Sequence, residues 1–242
     1  MPSQIEKLQA HTGHLLDLFI RLRERYALLD PMLFRTELRE HFNSSGARWY
    51  GFSILLDSLT LSCAQDIAKI AFDDDVRTPS IAQLVQTLKD DFVRTSLRER
   101  FVVWNLPRND EFKDPEVIAA LKRIELREEN KRDEQFEEIL ATTNDIWATF
   151  SKQDCMIDFK TIRDKITAHS EIRLVADKYQ PVDMRNFGIK WNDFSTSIST
   201  MQLLIENLNL LIRNASFAWD MLDENLRKQC SSFWSVPLDL KA

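Results

Sequence analysis

A chain of 242 residues, 44% of them hydrophobic, can bury a sizeable core, but its net charge of -6 provides no global basic field to hold a nucleic acid non-specifically. Four glycines and seven prolines leave few turns. No G-x-G-x-x-G or G-x-x-x-x-G-K loop is present, which argues against phosphate-loop enzymes and for long helices.

Asp30-Pro31, Thr78-Pro79 and Asp114-Pro115 each place a capping side chain before a proline, whose missing N–H costs nothing at a first helical position. Each predicts a helix start. A first amphipathic helix is expected over 3–26, with Leu8, Leu15, Leu18 and Leu22 along one stripe. A short one follows over 31–42. A third, over 48–72, carries Phe52, Leu55, Leu56, Leu59, Cys63, Ile67 and Ile70 at three-and-four spacing, which marks a central core helix.

Shorter helices are expected after Pro79 and over 90–104, then a long one over 115–150. Its middle, 125–135, is almost wholly charged and must stand in solvent or against another subunit. The apolar stripe resumes at Phe136, Ile139, Leu140, Ile146, Trp147 and Phe150. Another helix carries the Arg163–His169 segment, and 170–189 reads as a loop. The last helix is expected over 191–226, with Phe194, Ile198, Met201, Ile205, Leu208, Ile212, Ala215, Trp219 and Leu222 forming a seam for antiparallel or dimeric packing. No strand alternation appears. The predicted fold is all-α: a bundle of long amphipathic helices in a single domain over 1–242.

Cys63, Cys155 and Cys230 match no C-x-x-C pattern, as expected of a reduced, cytoplasmic protein. The N-terminus lacks a signal-peptide layout, and no apolar run approaches the roughly 18 residues that span a bilayer, so no membrane partner is expected.

The segment from Ile162 to Glu171 places Arg163 six positions before His169. A guanidinium beside an imidazole can stabilise a phosphorane and move its protons, the minimum needed to cut RNA through its own 2′-hydroxyl. The bare spacing is weak evidence: chance supplies on the order of one such match in a chain like this. Arg35 and His41 repeat the spacing, but Glu37 and Glu40 surround that histidine and would repel a phosphate. Between Arg163 and His169 the one acid is Asp164; Lys165, Thr167 and Ser170 are cationic or neutral donors. Residues six apart on an ideal helix diverge by about 120°. Either Arg163 curls back or His169 sits just past the helix end.

Other clusters read more blandly. His11 and His14 lie at i,i+3 with no further ligands to complete a metal site. The Asp73-Asp74-Asp75 run reads as a solvated turn. Arg77, before the Thr78–Pro79 start, is a candidate for gripping a phosphate, and Trp191 is a candidate for base stacking.

The Arg163-to-His169 segment resembles the R-[N/D/H]-x(3–5)-H motif of the HEPN superfamily. Trp49-Tyr50-Gly51-Phe52, Leu59, Ile67-Ala68-Lys69-Ile70 and Arg77-Thr78-Pro79-Ser80-Ile81 resemble its AbiU-type abortive-infection branch, so that the likeness covers most of the chain. The resemblance implies an α-helical homodimer in which two Arg–His motifs face one cleft. It also implies a metal-independent endoribonuclease of toxin or phage-defence type with no cofactor, RNA as substrate, and an antitoxin or other regulator as a further partner. Arg163 and His169 take the motif's catalytic positions, with Asp164 as the polar residue after the arginine. Lys165, Ser170, Arg77 and Trp191 are the substrate-binding candidates. Where nucleotidylated members carry a tyrosine two positions after the histidine, this chain has Glu171, so control by that modification is not implied. The rival expectation is a catalytically silent helical protein that binds nucleotide, RNA or a protein partner through the same cleft.

Overall fold

The computed structural model describes residues 3–43, 46–75, 77–104, 114–167, 172–175, 178–181 and 187–235. Helix α1 spans Gln4–Phe34. Its start is a capping box: Glu6 N–H donates to Ser3 Oγ at 3.2 Å while Ser3 N–H donates to the Glu6 carboxylate at 2.6 Å. Leu8, Leu15, Phe19, Leu22 and Leu29 bury one face.

The expected start at Pro31 is overturned, because α1 runs through this proline and ends three residues later. Pro31 deletes the bond to the Ala27 carbonyl, yet its ring is buried and the turn beyond it is secured from outside. Arg39 donates from Nε to the Met32 carbonyl at 2.7 Å and from Nη2 to the Leu33 carbonyl at 2.5 Å. Helix α2 (Thr36–Asn43) follows a break at Arg35, and α3 (Gly46–Phe72) fills the centre. Cys63, Ala64, Ile67, Ala68, Ile70 and Ala71 are buried on α3, but Leu55, expected on its core face, is exposed beside Trp49, Tyr50 and Ile54.

Helix α4 (Ile81–Thr87) begins two residues later than Thr78–Pro79 predicts. Ser80 is the cap: it accepts from Gln83 N–H at 3.3 Å and donates to the Asp73 carbonyl at 2.6 Å. Pro79 therefore belongs to the extended lead-in. Asp90 caps α5 (Asp91–Val102), and Asp114 caps α6 (Pro115–Phe150) with Pro115 in the first turn, as its sequence predicts. No residue of α6 before Phe136 is fully buried, so the charged stretch stands largely in solvent. Its end is tied to α5 through Asp133–Arg98 and through Arg132, which lies over the Phe101 ring at 5.3 Å.

Helix α7 (Asp154–Ile162) passes into a π-helical turn over Arg163–Thr167. The stretch expected as loop contains a two-stranded antiparallel ribbon, β1 (Ile172–Val175) with β2 (Lys178–Pro181), in register Ile172↔Pro181 and Val175↔Lys178. Four residues per strand are too few to show a period-2 pattern, which is why the sequence hides them. The fold is otherwise all-α, as expected. The last helix is two: α8 (Trp191–Arg213) stops at Asn214, which adopts φ 50°, ψ 44°, and α9 runs Trp219–Phe233. Asparagine tolerates that left-handed conformation at a helix end, and Asn209 Nδ2 secures the exit by donating to the Ala215 carbonyl at 2.6 Å.

The α8 seam is spent inside the chain. Phe194, Ile198, Met201, Ile205, Leu208 and Ile212 are all buried, with α8 packed between α1 and α6. Burying each such side chain is worth about 1.5–3 kcal/mol before entropy is counted. A satellite core of Met32, Leu38 and Phe52 gathers Phe42 and Trp234, whose indole N–H donates to the Leu28 carbonyl at 3.2 Å. Among the described residues no helix is long and apolar enough to cross a membrane.

Candidate functional site

Helix α7 presents Met156, Phe159 and Ile162 to the core, all fully buried, so its other face is fixed outward. The Phe159 ring meets Phe194 of α8 edge-on, which pins the motif helix to the start of α8. Gly188 lies against α7 as well: a Cβ there would come 3.8 Å from the Asp158 carboxylate. The chain leaving the ribbon thus returns alongside the motif helix, and Phe187 and Ile189 pack on the core as it does so.

Arg163 starts the π turn, and Ile166, three residues on, packs against the core. A widened turn of this kind displaces side chains from the α-helical register and is frequent at functional sites. The Arg163 side chain is only 20% exposed, and its Nε donates to Asp164 Oδ1 at 2.8 Å. Asp164 therefore positions the guanidinium, one of the roles open to it from sequence. Lys165 is half-buried on the same turn. His169 and Ser170 lie outside the described residues, as does Glu171.

Trp191 is the first residue of α8 and 44% exposed. It stands one turn before Phe194, the residue whose ring touches Phe159 of the motif helix. Arg77 is engaged elsewhere: its Nε and Nη2 donate to the two Asp75 carboxylate oxygens at 3.0 and 2.7 Å. These bonds, with that from the Arg77 backbone N–H, hold the Asp75 carboxyl down at about 2. Asp75 N–H donates to Asp73 Oδ1 at 3.1 Å, so the aspartate run is a hydrogen-bonded turn. Among the described residues no group of three histidine, cysteine or acidic side chains is placed to hold a metal.

In the other Arg–His match the two residues share a cleft. Arg35 and His41 line one cleft of about 370 Å³ with Glu37, Leu38 and Trp234. Glu37 puts a carboxylate in that cleft, as its sequence position implies, and the His41 ring packs edge-on against Phe42.

Two features escape the sequence reading. Lys160 places Nζ 5.9 Å from the centre of the Phe72 ring, one helical turn before Arg163. That same Phe72 lines a cavity of about 460 Å³ between the start of α1, the end of α3 and α4, with Lys7, His11, Asp74, Gln83 and Gln86 in its walls. Lys160 was findable from its i,i+3 relation to Arg163. The cavity joins residues some 80 positions apart and has no local signature.

The family model for HEPN_AbiU2, described as AbiU2, matches residues 5–233. No curated protein and no solved structure matches the chain.

Proposed function

This chain belongs to the AbiU2 family of HEPN proteins, and on that footing we propose that it is a metal-independent endoribonuclease of abortive-infection type whose site is shared between two subunits. Arg163 grips the scissile phosphate and the charge that develops on it. Its planar fork of donors suits two phosphate oxygens at once. His169 of one subunit removes the proton from the 2′-hydroxyl, whose oxygen attacks phosphorus. The partner subunit's His169 protonates the departing 5′-oxygen, leaving a 2′,3′-cyclic phosphate. One imidazole cannot easily be base and acid in a single step, which is the chemical reason for a dimer. Imidazoles titrate near ~6.5 and suit both tasks around neutrality; each proton transfer is worth on the order of 10²–10⁴ in rate.

The observation that carries this reading is the setting of Arg163: four-fifths buried on a π turn, oriented by Asp164, one turn from Lys160. Those cations supply the local basic site that a chain of net charge -6 lacks globally. The acidic charge also favours a second reading, a silent protein that binds RNA or a protein partner through the same face. An oligoribonucleotide with one 2′-deoxy substitution at the cut position, incubated in EDTA, tests the chemistry. Cutting is expected to vanish at that position alone and to leave cyclic phosphate ends elsewhere. Retention of RNA without any cut product supports the silent reading.

A further inference from the structure

Resting on the ribonuclease reading for its substrate class, we propose that the cavity bounded by α1, α3 and α4 is a nucleobase subsite that holds a guanine of the RNA next to the cleaved bond. One ring, Phe72, belongs both to the cavity wall and to the surroundings of the motif helix. Phe72 lines the cavity, Lys160 stands over the same ring at 5.9 Å, and Arg163 follows Lys160 by one helical turn. A strand whose phosphates run along Lys160 and Arg163 can therefore turn an adjacent base into the pocket. RNA is commonly read in this manner, with an unstacked base held against an aromatic side chain and its edges hydrogen-bonded.

The volume, about 460 Å³, lies within the range of pockets that take small molecules. The wall chemistry selects a base over other occupants. Asp73 and Asp74 outweigh the one lysine, Lys7, so the lining is net negative and does not favour a phosphate, while the polar amides disfavour a purely apolar guest. Gln83 Nε2 donates to the Asp73 and Asp75 carbonyls at 3.1 and 2.7 Å, which fixes the amide and leaves its carbonyl oxygen as an acceptor. Asp74 and Gln86 have no side-chain hydrogen-bond partner among the described residues. Burial, then Lys7 and His14, push the His11 imidazole below its ordinary value, which disfavours a second positive charge beside Lys7. The lining thus sets the Asp74 carboxylate and the Gln83 carbonyl oxygen as acceptors beside the Lys7 ammonium as donor. Of the four bases, guanine presents the ring N–H and exocyclic amine that a carboxylate can accept together.

The test uses full-length protein carrying His169→Ala, so that binding is read without turnover. The four nucleoside 5′-monophosphates are titrated into it, and into the same protein with Asp74→Asn or with the cavity-filling Ala82→Leu. Thermal melts check that each variant folds. The expected result is guanosine monophosphate bound about tenfold or more tighter than the others, with that advantage lost in both variants. In the parent sequence, cleavage is expected to favour sites flanked by guanine, and Asp74→Asn to redistribute the cuts. Four monophosphates binding alike, or not at all, overturns the subsite even if RNA is cut. Selective guanosine binding that depends on Asp74, in a protein that cuts no RNA, upholds the subsite and removes the nuclease reading instead.

Discussion

The Phe159 and Phe194 rings meet edge-on with centroids 5.0 Å apart and planes at 70°. Phe159 lies one turn before Arg163 and Phe194 one turn into α8, so this contact fastens the motif to the scaffold. Both rings are fully buried.

Phe159→Ala is expected to cost about 3–5 kcal/mol, the usual cost of an emptied aromatic site. Urea denaturation measures it. Cleavage by the folded fraction should fall as well, because the motif helix loses its anchor. A loss below about 1 kcal/mol would mean that α7 is held by something else.

Arg77 lowers the Asp75 carboxyl from 3.8 to about 2, first through its side-chain bonds and then through its backbone N–H. A carboxyl whose folded value is depressed contributes stability above its unfolded value, and loses it as pH falls through the folded one. The window here is roughly pH 4 to 2. Arg77→Ala should flatten the pH dependence of the melting temperature within that window and leave it unchanged at pH 7 apart from a constant offset. An identical acid slope in parent and variant contradicts the pairing.

Burial pushes the Cys63 thiol up to about 12. The thiolate is the reactive form, so Cys63 should resist thiol reagents at pH 8 until the protein unfolds. Native labelling of Cys63→Ser should match that of the parent, whereas in denaturant the parent gains one more labelled site. Rapid native labelling of Cys63, located by peptide mapping, contradicts this burial.

Gly51 lies inside α3, exposed, with nothing within 4 Å of where a Cβ would stand. Glycine in a helix interior costs about 0.5–1 kcal/mol relative to alanine. Gly51→Ala should therefore raise stability by about that much in a thermal melt. A fall in stability that depends on protein concentration would instead show this face, with Trp49, Tyr50 and Ile54, to be covered by another chain.

The long helices were legible because their apolar spacing repeats over many turns: α3 and α6 end within a residue or two of where the pattern predicts. What misled was punctuation. Pro31 reads as a helix start, but a buried ring and two bonds from Arg39 carry α1 past it. Thr78 reads as a cap, but Ser80 supplies the oxygen. Seam periodicity ran across Asn214 because hydrophobic spacing says nothing of a single left-handed residue. At the site, Arg163 and Asp164 were visible as neighbours in sequence. The cavity beside Phe72 was not, since its walls come from helices distant in the chain.

The most direct test of the central claim is RNA cleavage in EDTA by purified parent, Arg163→Ala and His169→Ala proteins, each checked for folding. The account predicts cleavage by the parent and a loss on the order of 10² or more in each variant. Cleavage by His169→Ala at the parent's rate would contradict it.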